Sequence, residues 1–154
     1  MRHPFLRACG LCCLVALAAA VARAQATEAG ADVQSTYAEQ LLAVVNDYRD
    51  GLGLSPLRPA PALQRIATPH SLAMAAAQSA SHGSFKERFE RAGSEICVEN
   101  IAAGAARPEQ LLAAWRRSPE HDRNLLEPRV RWVGIATFQG YTTLFACSSD
   151  GSGP

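Results

Sequence analysis

The chain is poor in the groups that covalent enzymes use. It has no Gly-x-Ser-x-Gly elbow and no signalled Ser/His/Asp arrangement, so a serine nucleophile such as Ser71 has no support. His-Glu-x-x-His is absent, as are phosphate-binding glycine loops. No internal repeat is present. Positive charge is not in excess either. The formal net charge is +1, and it becomes −2 once residues 1–24 are set aside, with 12 basic against 14 acidic side chains. That excludes a dedicated nucleic-acid binder, which needs a basic face.

Long apolar runs are lacking everywhere except at the start. Arg2 and Arg7 precede a small and apolar stretch from Ala8 to Val21, followed by Ala22-Arg23-Ala24. This reads as a secretory signal peptide over residues 1–24, with Ala24-Gln25-Ala26 as an overlapping cleavage pattern. The run is shorter than the ~20 residues of a spanning helix, so no transmembrane segment is expected. Cys9, Cys12 and Cys13 sit at its start rather than just after it, which speaks against lipid attachment. Its removal leaves 130 residues, enough for one domain with a real core. It also leaves only Cys97 and Cys147, an even pair in an exported chain, and therefore an expected disulfide. No free thiol remains for catalysis.

Residues 25–35 read as a flexible lead-in. A helix is expected from Thr36, which has capping-box spacing to Glu39, with Tyr37, Leu41, Val44, Val45 and Tyr48 as its apolar stripe and Gly51 as a left-handed stop. Gly51 to Pro61 reads as a loop. A second helix runs from Pro61 to Ser79, with Leu63, Ile66, Ala67, His70, Met74 and Ala77 on one face and Pro69 as a potential kink. Short helices follow from Phe85 to Ala92 and from Pro108, the latter carrying Leu111, Leu112 and Trp115 inward. Val133 to Phe138 and Tyr141 to Ala146 have β-type composition around a Gln139-Gly140 turn. The pattern is α+β, with helices on a small antiparallel sheet and a C-terminal β-hairpin. The polar residues 149–154 read as a disordered tail.

Three side chains stand out. His82 lies in Ser81-His82-Gly83, Glu99 opens Glu99-Asn100-Ile101-Ala102, and His121 ends Ser118-Pro119-Glu120-His121. Each stands in a polar, turn-rich setting. Two imidazoles and a carboxylate suffice to bind a divalent metal or to move a proton. Taken singly, each has a plainer reading. His82 and His121 are surface or capping histidines, and Glu99 pairs with Arg88 or Arg91. Asn100 bonds loop backbone, and Ser118 caps the turn before His121. His70 sits on an apolar face, where a core histidine with one satisfied hydrogen bond is commoner than a ligand.

Read in order, the segments resemble the bacterial branch of the CAP superfamily. It is also called the SCP domain, and it includes cysteine-rich secretory, antigen 5 and pathogenesis-related 1 proteins. The matching residues are Val45-Asn46-Asp47-Tyr48-Arg49, Gly53-Leu54-Ser55-Pro56-Leu57, His70-Ser71-Leu72-Ala73-Met74 and Ser81-His82. They continue with Glu99-Asn100-Ile101-Ala102, Gly104, Trp115, Ser118-Pro119-Glu120-His121, Asn124-Leu125-Leu126 and Val133-Gly134-Ile135-Ala136. The resemblance places the domain at residues 36–148. It implies an α-β-α sandwich, secretion, and a cleft of His82, Glu99, His121, Ser118 and His70, with Asn100, Cys97 and Cys147 structural. In some members such a cleft binds a divalent metal. Eukaryotic members carry a second acid on the Trp115 helix, near Ser118 here, and a second histidine before the last strand, where this chain has Gly140-Tyr141-Thr142. Glu120 is the acid left to fill the gap.

The expected function is a secreted or periplasmic, non-catalytic binding module for a divalent metal, a lipid or sterol, or an extracytoplasmic protein. The alternative is a metal-assisted hydrolase, with His82, Glu99 and His121 holding zinc and a water in the open position.

Overall fold

The computed structural model describes residues 36–104 and 106–152. The expected signal peptide and lead-in fall outside the described residues.

A first helix, α1, spans residues 36–50. It buries Leu41, Val45 and Arg49, and leaves Tyr37, Val44 and Tyr48 half-buried. Gly51 does not stop it by turning left-handed. Its N–H still bonds to the Asp47 carbonyl at 3.0 Å, and the positive φ, 74°, falls on Gly53 two residues later.

The expected loop then contains a strand, β1 (Arg58–Pro59). It pairs in parallel with a later strand, β3 (Trp132–Phe138), as Arg58 N–H donates to the Arg131 carbonyl and Ala60 N–H to the Val133 carbonyl. Pro59, lacking an N–H, sits between the two donors at the sheet edge, the place where a strand tolerates proline.

Helix α2 (Pro61–Ala77) starts at a proline and runs on through Pro69. Its buried face is Leu63, Ile66, Ala67, His70, Ser71, Met74 and Ala75, while Ala77 is exposed. Helix α3 (Phe85–Ala92) ends at Gly93, whose φ is 56°. Strand β2 (Cys97–Ala103) follows, then α4 (Pro108–Arg116), α5 (Pro119–Leu125), β3 (Trp132–Phe138) and β4 (Tyr141–Cys147). Gln139 and Gly140, with φ of 48° and 81°, make the tight turn of the terminal hairpin.

The sheet order is β1-β3-β4-β2. Three strands are antiparallel, and the parallel β1 makes the sheet mixed. Cys97 stands directly opposite Cys147 in the β2–β4 register, and the two form the expected disulfide. Strand alternation divides the core in two. Val133, Ile135, Leu144 and Ala146 pack with Leu41 and Val45 of α1, Leu111, Leu112 and Trp115 of α4, and Leu125 of α5. Ala136, Phe145 and Cys147 pack with Leu63, Ile66 and Ala67 of α2 and Ala92 of α3. Helices thus cover both faces, as an α-β-α sandwich. Helix α2 lies close on the sheet because position 134 is glycine. A Cβ there would stand 2.3 Å from the Leu63 carbonyl carbon. The tail stays tied down at first. Ser149 N–H donates to Ser94 Oγ at 3.1 Å.

Candidate functional site

Glu99 is the centre of the site, but not in a turn. It lies on β2, an edge strand, and is 3% exposed. Alternation explains the split between neighbours: Glu99 shares the α2/α3 face with Cys97, while Asn100 turns to the α4/α5 side. Asn100 is fully buried and donates to the His121 carbonyl at 3.0 Å. Asn124 in turn donates to Asn100 Oδ1 and to the Glu99 carbonyl, each at 3.0 Å. The two asparagines therefore fasten α5 to β2, a more specific task than bonding loop backbone.

The Glu99 carboxylate is bonded at both oxygens. Arg88 of α3 forks onto it, with Nε to Oε2 at 2.7 Å and Nη2 to Oε1 at 2.8 Å. His82 Nδ1 lies 2.9 Å from Oε1. Of the two arginines open as partners in the sequence, the structure selects Arg88, which is 5% exposed. Arg88 also donates Nη1 to the Gly83 carbonyl at 2.8 Å, and so holds the loop that carries His82. That loop begins where Gln78 closes α2 with a φ of 49°. The His82 side chain is 52% exposed, so its ring has one side against Glu99 and the other toward solvent.

His70 comes from the buried face of α2. Its Nε2 stops 3.8 Å from Glu99 Oε1 and makes no hydrogen bond. Burial, and then the charge of Arg88, hold its pKa below the usual histidine value, against the pull of Glu99. Next to it, Ser71 is buried and structural, its Oγ donating to the Ala136 carbonyl at 3.0 Å and touching Thr143 Oγ1 at 2.9 Å.

His121 sits on α5, half-buried, its ring tilted over Trp115 at 6.4 Å between centroids. Burial lowers its pKa first and His82 second, with Glu120 opposing. Ser118 caps α5 by accepting the His121 N–H at 3.5 Å. Glu120 is exposed.

This arrangement does not fit a divalent cation on Glu99. A bidentate guanidinium already neutralises the carboxylate and occupies both oxygens. Among the described residues no group of three or more His, Cys, Asp or Glu side chains is placed to hold a metal. The expected His82, Glu99 and His121 set is therefore replaced by an Arg88–Glu99–His82 network with His70 behind it. Arg88 was visible in sequence only as a possible partner, because nothing local shows that α3 and β2 bury these two charges against each other.

Fold and site together define an α-β-α domain with a histidine-flanked buried carboxylate at the sheet edge. Residues 42–148 match the family model for the cysteine-rich secretory protein family, and the chain belongs to that family, the CAP family. It is similar to the uncharacterised protein YkwD of Bacillus subtilis, 30% identical over 108 residues, which cover 66% of this chain and 42% of that protein. Among solved structures it resembles an extracellular SCP-domain protein of Bacillus anthracis, with TM-score 0.71 and 22% identity, over 76% of this chain and 42% of that one. A cysteine-rich secretory protein of Staphylococcus aureus gives TM-score 0.68 at 18% identity, over 75% and 39%. An outer surface protein of Borrelia burgdorferi gives 0.62 at 19%, over 71% and 90%. The chain spans less than half the length of YkwD and of the first two structures.

Proposed function

We propose that this chain is an exported binding domain that does not turn over its ligand, and that the ligand is a lipid-like molecule or an extracytoplasmic protein. The observation that carries this reading is the engaged carboxylate of Glu99. Arg88 donates to both of its oxygens at 2.7 and 2.8 Å and His82 Nδ1 lies 2.9 Å from Oε1, so the carboxylate is already spent on bonds within the protein rather than left open as a base or a ligand. Its work is to orient His82 and to fasten α3 to β2. Export is supported by the N-terminal sequence and by the extracellular and outer-surface descriptions of two structural relatives.

The test is a broad ester and peptide panel, run with and without added zinc, on wild type and on Glu99→Gln. The expected result is no turnover above buffer for either protein. Zinc-dependent turnover that disappears in Glu99→Gln, His82→Ala and His121→Ala would establish the metal-assisted hydrolase instead. Calorimetric zinc titration gives a second reading. Equal weak binding by wild type and both histidine variants fits the proposal, and tight binding lost in both variants overturns it.

A further inference from the structure

A cavity of about 490 Å³ opens between α2 and α3, behind the site. That is within the size range of small-molecule pockets, roughly 300–1,000 Å³. Ile66, Pro69, Ala73 and Met74 give it an apolar wall from α2, and Glu87 and Arg91 line it from α3. His70 lies in the same wall, and it separates the cavity from Glu99. Burial first and Arg88 second lower the His70 pKa, which disfavours a charge in that wall.

The charges at the rim are unequal in status. Arg88 also lines the cavity, but its guanidinium is committed to Glu99. Glu87 and Arg91 are exposed, and their side chains have no ion pair or hydrogen bond among the described residues. Their spacing is i,i+4, the same as that of Lys86 and Glu90 on this helix, which do pair at 3.7 Å. So α3 presents one free carboxylate and one free guanidinium a single turn apart, directly over an apolar space.

We propose that this cavity binds the monomer of a single-chain amphiphile with a zwitterionic head, its chain along Pro69, Ala73 and Ala77 of α2, its cation on Glu87 and its anion on Arg91. An apolar pocket takes the chain out of water, and two opposite charges one turn apart select a head that carries both. This inference rests on the domain being a binder. Hydrolysis in the panel above would overturn that reading, while the measurement below stands apart from it.

The experiment is calorimetric titration of octylphosphocholine, kept below its micelle-forming concentration. Octyl sulfate, octyltrimethylammonium and octyl glucoside serve as comparisons of equal chain length. The zwitterion is expected to bind ~5-fold more tightly than either singly charged head, one exposed ion pair being the difference. Lengthening the chain to decyl should tighten binding ~10-fold. Ala73→Trp fills the cavity from an exposed position, so the fold is retained, and it should abolish binding. Glu87→Arg should lose the zwitterion preference and favour octyl sulfate. Exchanging the charges, Glu87→Arg with Arg91→Glu, should restore zwitterion binding to within ~3-fold. Equal affinity for all four heads, or binding unchanged by Ala73→Trp, would mean non-specific partition and would overturn the proposal. Binding to phosphatidylcholine vesicles with none to the monomer would overturn it too.

Discussion

Along β4, Leu144 and Ala146 turn toward α1 and α4, while Thr143, Phe145 and Cys147 turn toward α2 and α3. The same strand thus serves two different interiors. The α1/α4/α5 side is a broad aliphatic core around Trp115, whose indole N–H donates to the Ile101 carbonyl at 3.1 Å. The α2/α3 side is built of smaller residues and encloses Glu99, Arg88, His70 and the Ser71–Thr143 contact. One side derives its stability from area removed from water. The other gives up part of that term to hold charges and polar groups, and it carries the cavity. The comparison places the buried charges and the cavity on the face that packs less apolar surface.

The largest effects should come from opposite causes on the two sides. Arg88→Ala leaves Glu99 buried and uncompensated and should cost about 3–5 kcal/mol in urea denaturation. Arg88→Met combined with Glu99→Leu should recover most of it, because the pair's desolvation cost goes with it. Trp115→Ala should cost a similar ~3–5 kcal/mol through a cavity, with no second substitution of that kind to rescue it. A double variant as unstable as Arg88→Ala alone would remove buried charge as the cause.

Gly134→Ala comes next. A methyl there meets α2 backbone, not a side-chain tip, so α2 must move off the sheet at about 1–3 kcal/mol. An unchanged melting temperature would show that α2 is not held at that distance.

The pH dependence separates the sides more finely. His70 and His121 both have pKa values lowered in the fold, burial being the first cause of each. Between the folded and unfolded pKa values the unfolded chain binds more protons, so stability rises with pH there. Their contribution is fully present above the unfolded value of about 6.5, and it is lost as pH falls toward the folded values, by at most ~1.4 kcal/mol per pH unit per group. His70→Gln and His121→Gln should each flatten the slope between pH 7 and 5. A slope unchanged in both variants would assign acid sensitivity to other groups. The smallest effect expected is Ser71→Ala, about 1 kcal/mol, from loss of its bonds to Ala136 and Thr143.

Much of this architecture was legible before folding was considered. The spacing of Leu63, Ile66, His70 and Met74, the prolines that open α2 and α4, and Gln139-Gly140 in the hairpin are local signals that report local geometry. Strand β2 was not legible as a strand, because Glu99-Asn100 in its middle reads as polar loop until the charges are seen to be buried. Strand β1 has only two residues, one of them proline, and exists because β3 offers carbonyls at its edge. The pairing of Glu99 was hidden for the same reason as β2. Proximity to His82 and His121 could be inferred from order along a family pattern, but the presence of Arg88 on Glu99 could not.

By itself, the sequence determined the starts of α2 and α4, the span of α3, the terminal hairpin, the Cys97–Cys147 pairing and the family, since these depend on periodicity, parity and the order of short motifs. Only the tertiary structure decided what Glu99 does. Whether a carboxylate is a metal ligand, a base or half of a buried ion pair depends on which charge reaches it at 2.7 Å, and that partner is supplied by the packing of α3 against β2.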